Sequence, residues 1–310
     1  MKKLLVSLAL IGLLLVGVYF VFPGKALVFF ALLERAASGL EEKSVVVDGN
    51  RWVYLEGGEG PPLVLVHGFG GDKDNWTRVA RSLTPHYRVI IPDLLGAGDS
   101  DKPLDRDYDI FSQAQGLRGF VHAMGPKRIH IGGNSMGGAI SAVYAARWAD
   151  EVDSVWLLNP GGVKTEARSE MRQMLEAGKD NPLVVETADD IRRLMQFTMS
   201  NPPPLPDRIA TAIGKRALER RAMNDHIFPQ LATSEELVMA AAPAILAPTL
   251  IVWGEQDRVL HPDGAVVLNK RIPNSRVIMM PDTGHLPMIE FPEQTAQDYL
   301  EFRAALPARR

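Results

Sequence analysis

The chain contains no cysteine. Disulfides, thiol catalysis and cysteine-based metal sites are therefore excluded. An extracytoplasmic location stays open, because a domain of 310 residues, 46% of them hydrophobic, has core enough to stand without cross-links. A long basic run is also missing. Lys and Arg number 34 against 37 Asp and Glu, for a net charge of −3. That argues against nucleic acid as a partner, since phosphate binding needs clustered cations. Internal repeats are absent too, so one large domain, or a domain carrying an insertion, is expected.

Charge itself is absent from one stretch. Leu4–Phe22 is nineteen residues without a charged side chain, and fourteen of them are Leu, Ile, Val or Phe. About twenty apolar residues span a bilayer core, and these fourteen sum to roughly −4 to −8 kcal/mol on the insertion scale. A cleaved signal peptide would want small residues at its end, where Tyr19-Phe20-Val21-Phe22-Pro23 is bulky. An uncleaved N-terminal anchor is the preferred expectation, with secretion after cleavage as the alternative. Lys2 and Lys3 would hold the N-terminus in the cytoplasm and place the rest on the periplasmic or extracytoplasmic side. Ala26–Leu33 is a second apolar stretch, too short to span, which either lies along the membrane surface or covers the domain.

Folded structure is expected from about Ser44. Ser44–Val47 and Arg51–Glu56 flank Asp48-Gly49-Asn50, a hairpin signal. Leu63–Val66, Tyr87–Ile91, Ile129–Gly132, Val152–Leu158, Thr249–Trp253 and Ser275–Met280 are short apolar runs of the kind expected for parallel strands. Helical patterns separate them: Asn75–Leu83, Ile110–Met124, Ala139–Trp148 and a closing Pro292–Leu306. Alternation of this kind predicts an α/β fold with a mostly parallel central sheet flanked by helices. Between Val163 and Ala244 the strand signal vanishes and the chain becomes charged, Met-rich and helical. The expected organisation is an anchor or signal and linker over 1–43, a core from 44–162 and 245–310, and a helical cap over 163–244, inserted above the sheet edge where ligands bind in such folds.

Gly133-Asn134-Ser135-Met136-Gly137 sits between the strand at Ile129 and the helix that follows. In strand–turn–helix context a G-x-S-x-G pattern exposes a serine on a tight turn. Strand and helix pass too closely there for side chains on either glycine. A serine hydroxyl needs a base, and the base an orienting acid. After Ser135 only His226, His261 and His285 remain. His226 falls in the cap, and His261 shares a loop with Asp257. His285 follows the last strand, so it is the candidate base. Asp257, four residues past a strand, is the candidate acid, with Glu255 as the alternative nearer the strand end. An oxyanion needs two N–H donors. Met136, at the helix start, is one; Phe69, in His67-Gly68-Phe69-Gly70, is the other. His67 is expected to be structural and satisfied by loop carbonyls, and Asp93 to order its loop; Asp93 and Asp99 both precede Ser135, off the Ser–acid–His order.

His67–Trp76, Tyr87–Ser100, Gly133–Gly138, Trp253–Asp257 and Gly284–Pro292 together resemble α/β-hydrolases of the bacterial membrane-anchored lipase type, and are similar to monoacylglycerol lipases. The likeness covers the chain from about Ser44, less much of the cap. One departure is Ala97 in Leu95-Gly96-Ala97-Gly98, where the family carries a bulkier residue; no catalytic effect is expected. The resemblance implies a Ser135–Asp257–His285 triad, Phe69 and Met136 as oxyanion donors and substrate contacts, and hydrolysis of acylglycerols or related lipid esters without metal or organic cofactor. Met171, Met174, Met195 and Met199 in the cap suit a pliable apolar substrate channel. Dehalogenases and epoxide hydrolases of the same fold attack with Asp, so Ser135 points away from them. The alternatives are a general carboxylesterase, a serine-type carbon–carbon or haloperoxidase-like enzyme, and a membrane-anchored lipid-binding protein on a hydrolase scaffold.

Overall fold

The structure is a computed structural model that describes residues 21–307. Most of the charge-free run, residues 4–20, lies outside the described residues. Eight strands form one sheet: β1 (Leu40–Val47), β2 (Asn50–Gly57), β3 (Pro62–Val66), β4 (Arg88–Pro92), β5 (Ile129–Asn134), β6 (Val152–Leu158), β7 (Thr249–Gly254) and β8 (Ser275–Met280). Their spatial order is β1-β2-β4-β3-β5-β6-β7-β8. β1 and β2 run antiparallel to their neighbours and all later pairs are parallel.

The helices are α1 (Pro23–Ala37), α2 (Thr77–Leu83), α3 (Ile110–Ala123), α4 (Met136–Arg147), α5 (Glu170–Glu176), α6 (Asp190–Thr198), α7 (Asp207–Glu219), α8 (Arg221–Ile227), α9 (Ser234–Ala241), α10 (Asp263–Arg271), α11 (Pro287–Glu290) and α12 (Pro292–Ala304). Successive strand residues point to opposite faces, and both faces are covered. Val64, Val66, Ile131, Val155 and Leu157 pack on one side with Leu117, Phe120 and Ile140 of α3 and α4. Leu63, Leu65, Val89, Trp156 and Leu158 pack on the other with Val79 and Leu83 of α2 and Tyr299 of α12. Trp156 stacks on Tyr299, centroids 4.4 Å apart. This two-sided burial is why the central strands are continuous apolar runs rather than alternating ones.

Two boundaries differ from expectation. β1 begins at Leu40, although Glu41, Glu42 and Lys43 carry no apolar pattern. It is an edge strand, so both faces of those residues meet solvent, and its register comes from the two-residue Asp48-Gly49 turn, where both φ are positive. Packed structure also starts before Ser44. α1 lies against α7, and Arg35 grips Asp74 through two hydrogen bonds of 2.7 Å. Ser38 Oγ donates to Thr77 O at 2.7 Å. Of the short apolar stretch Ala26–Leu33, Ala26 is buried, while Val28, Phe29, Phe30, Leu32 and Leu33 stay exposed.

β3 sits between β4 and β5, so the chain leaves to one side of it and returns on the other. Crevices form at such reversals, outside the carboxyl ends of the strands. The loop after β3 and the turn after β5 both open there. The segment between β6 and β7 holds α5 to α9 and reaches back over this edge. Arg220 Nη1 meets Asp72 at 2.9 Å, and Gln230 Oε1 accepts from Tyr108 N–H at 2.7 Å.

Candidate active site

β5 ends at Asn134 and α4 begins at Met136, so Ser135 alone makes the turn, at φ 55° and ψ −119°. This conformation is costly for a residue with a side chain and persists only where its surroundings enforce it. The enforcement is visible. A Cβ on Gly133 would lie 2.2 Å from Gly137 O, and one on Gly137 2.2 Å from Val66 O. Backbone bonds hold the turn as well: Ser135 N–H donates to Leu158 O, and Ser135 O accepts from Gly161 N–H at 2.8 Å.

Asp257 and His285 come together at the same sheet edge. His285 Nδ1 lies 2.8 Å from Asp257 Oδ2, with side chains 5% and 0% exposed. The carboxylate is otherwise saturated. Asn159 Nδ2 donates to Oδ2 at 2.7 Å, and Oδ1 accepts the N–H groups of Val259 and Leu260 at 2.8 and 3.0 Å. Glu255 is exposed. The His285 loop is fixed in turn: His285 N–H donates to Thr198 O at 2.7 Å. The Glu290 carboxylate collects four N–H groups, from Ser200, Asn201, Gly284 and Leu286. Asn134 Nδ2 adds a bond to His285 O at 3.0 Å.

Met136 is the first residue of α4, so its N–H has no acceptor within the helix and lies at the positive end of the helix dipole. Phe69 N–H likewise has no hydrogen-bond partner among the described residues. The Phe69 loop abuts the serine, since a Cβ on Gly68 would stand 3.1 Å from Ser135 Cβ.

His67 departs from expectation in one respect. Its Nδ1 does meet a loop carbonyl, Gly68 O at 2.8 Å, but Nε2 accepts from Leu94 N–H at 3.1 Å. One nitrogen donates and the other accepts, which requires the neutral ring. Burial, stronger than the pull of Asp93, holds its pKa below the ordinary histidine value. Asp93 is fully buried; it accepts from Lys73 N–H, Lys73 Nζ and Asp99 N–H at 2.7–2.8 Å. Burial disfavours the Lys73 charge, yet Asp93 and Asp99 together raise its pKa, and Lys73 draws Asp99 below the usual carboxylate range against burial. These residues order the loops behind the site. His226 packs edge-on to Tyr108 in α8, and His261 Nδ1 lies 3.5 Å from Asp263; neither lines a cavity that Ser135 lines.

Ser135 opens on two cavities. One, of about 180 Å³, includes Asn75, Leu194, Arg221, Asn224, Asp225 and His285. The other, of about 300 Å³, is lined chiefly by apolar groups, among them Met136, Met171, Phe228, Leu231 and Leu260. Phe69, Ser135 and Leu183 belong to both. Of Met171, Met174, Met195 and Met199, only Met171 lines either cavity. On α6 the facing positions are Leu194 and Thr198, a helical turn apart, so Met195 turns aside. Met199 is buried against the His285 loop, and Met174 lies a turn beyond Met171. Nothing in the sequence distinguishes Leu183, Leu194, Phe228 and Leu231, because cap helices carry apolar residues on several faces. Asn159, Glu290 and Arg220 are equally silent there, as their partners lie far along the chain. Among the described residues, no three His, Cys, Asp or Glu side chains are placed to hold a metal ion.

A doubly covered parallel sheet, a serine on a strained strand-to-helix turn, and an Asp–His pair on the loops after the last two strands define a class. The chain belongs to the alpha/beta hydrolase fold family, which it matches over residues 61–292. Lipase 1 of Psychrobacter immobilis is 40% identical over 285 residues, covering 89% of this chain and 88% of that one. The monoacylglycerol lipase ABHD6 of Rattus norvegicus is 26% identical, covering 97% and 93%. A solved structure, described as a membrane phospholipase A and bacterial virulence factor, superposes with a TM-score of 0.88 at 42% identity, over 98% of both chains.

Proposed function

We propose that the protein is a serine hydrolase of lipid carboxylic esters, acylglycerols foremost, acting through an acyl-enzyme on Ser135. Ser135 Oγ attacks the ester carbonyl while His285 takes its proton. The negative oxygen of the tetrahedral intermediate is received by the N–H groups of Phe69 and Met136. His285 then passes the proton to the departing alcohol. Water, activated by the same ring, releases the fatty acid and restores the serine. Asp257 holds the ring by Nδ1, leaving Nε2 for the chemistry, and stabilises the imidazolium as it forms.

The observation that carries this reading is the saturated Asp257 carboxylate bonded to His285, on a residue that lines the same cavity as Ser135. Support for a lipid substrate comes from the apolar cavity beside Ser135 and from the lipase relatives. Residues 163–244 act as the cap that shapes this cavity. The protein works at a membrane, held there by Leu4–Phe22 with its catalytic part on the extracytoplasmic side. No helix among the described residues is long and apolar enough to cross a membrane, so the support for this is the charge-free run and the exposed apolar face of α1 that follows it.

The test is hydrolysis of mono-, di- and triacylglycerols together with a chain-length series of p-nitrophenyl esters. Ser135→Ala should lower kcat/KM by at least about three orders of magnitude. Activity within a few-fold of wild type would refute the mechanism. Flat chain-length dependence would leave an esterase and remove the lipid preference.

A further inference from the structure

Ser135 stands where two cavities meet, and His285 lines only one of them. Granted the ester-hydrolase reading, on which this inference rests, the asymmetry orients the substrate. The proton that His285 took from Ser135 must reach the leaving oxygen, so the alcohol half departs on the His285 side. The acyl half then occupies the apolar cavity, where Met136 and Leu231 stand.

The His285 side carries hydrogen-bonding capacity the protein does not use. Asn75 spends its Oδ1 on Asp72 N–H at 2.8 Å, while its amide N–H groups have no partner among the described residues. The Asn224 amide has none either. Both residues line the cavity, and Asn224 Nδ2 lies against the Phe69 loop, 3.8 Å from where a Cβ on Gly70 would be. The one cation in this lining, Arg221, faces two carboxylates, Asp225 at 3.4 Å and Glu186 at 3.3 Å. Arg220, next in chain, is held by Asp72 at 2.9 Å. This lining therefore offers no unpaired positive charge to a phosphate.

We infer that Asn224, with Asn75, forms a subsite for an uncharged polyhydroxylated leaving alcohol, glycerol being the simplest. The amides donate to and accept from its free hydroxyls while the acyl chain lies in the opposite cavity. Asn224 is thereby a specificity-determining residue supplied by the cap, and monoacylglycerols are favoured over esters of simple alkanols and over lysophospholipids of the same chain length.

The experiment keeps the acyl group constant and varies the alcohol, using 1-decanoylglycerol, propyl decanoate and decanoyl lysophosphatidylcholine with the full-length enzyme. The readout is a ratio of kcat/KM values on one protein sample, which does not depend on the fraction folded. Wild type should prefer the glycerol ester. Asn224→Leu should lower the glycerol-to-propyl ratio by about five- to tenfold, the worth of a hydrogen bond. Leu231→Trp, on the other side, narrows the acyl cavity and should lower kcat/KM for both decanoyl esters together, leaving that ratio in place. An active wild type that prefers the lysophospholipid, or an Asn224→Leu protein with an unmoved ratio, overturns the subsite alone. An exchange of the two phenotypes overturns the orientation. A wild type that cleaves none of these esters overturns the ester-hydrolase reading itself.

Discussion

Ser135 keeps its positive φ because the glycines on either side admit the backbone of their neighbours, and that crowding predicts what substitution does. Gly137→Ala would drive a Cβ to 2.2 Å from Val66 O, so β3 and α4 must separate. We expect a loss of stability of about 3 kcal/mol or more, read as a shift in the denaturant midpoint. Asn159 permits a cleaner test, because its own φ is 43° and glycine accepts that conformation without strain. Asn159→Gly removes the donor to Asp257 Oδ2 while the main chain stays. It should lower kcat about tenfold with KM little changed, as expected for a residue that positions the Asp257–His285 pair. His67 sets a pH dependence of stability. Its neutral ring is held below the ordinary histidine pKa in the folded protein, whereas the unfolded chain protonates it near pH 6.5. Stability from this group is therefore complete above about pH 6.5 and declines as pH falls below it, approaching about 1.4 kcal/mol per pH unit. In His67→Gln the unfolding free energy should change by about 1.4 kcal/mol less in total between pH 7.5 and 5.5.

Among the elements, the junction of α7 and α8 is tied to the loop that carries Phe69. Burial would raise the Asp72 carboxyl, but the charge and hydrogen bond of Arg220 outweigh it and hold it low. The stabilisation is present above the ordinary carboxylate range, about pH 4, and is lost only as pH falls below that. The cap latch is thus intact throughout the neutral range. Arg220→Met should destabilise the protein by about 1.5–3 kcal/mol and lower kcat as the Phe69 loop loosens. A double-mutant cycle with Asp72→Asn should return most of that as coupling. α1 makes a separate prediction. Phe30 and Leu33, both about half exposed, should meet lipid in the membrane reading. Phe30→Glu combined with Leu33→Glu should lower hydrolysis of substrate presented in vesicles several-fold relative to a water-soluble short-chain ester. An equal effect on both would remove α1 from the membrane contact.

Across the whole molecule, what can be read from sequence is what burial writes locally. Leu63–Val66 and Thr249–Trp253 are apolar on both faces because the sheet is covered on both faces, so the parallel core is legible. Ser135, Asp257 and His285 are legible because each stands just past a strand, where the fold gathers loops. Leu40–Lys43 is not, since an edge strand open to water needs no apolar pattern. Asn159, Glu290 and Arg220 are not, because nothing near them in the chain reveals that their partners are Asp257, the His285 loop and Asp72. Met174, Met195 and Met199 mislead for a related reason while Met171 does line the apolar cavity, as composition does not say which helical face turns inward. The central claim is that Ser135 is the nucleophile, and the measurement that reaches it most directly is covalent labelling of the full-length protein with a fluorophosphonate, mapped by peptide mass spectrometry. A single adduct on Ser135 is expected, absent from Ser135→Ala and much slower to form in His285→Ala. An adduct on another residue, or none on a protein that hydrolyses esters, would contradict it.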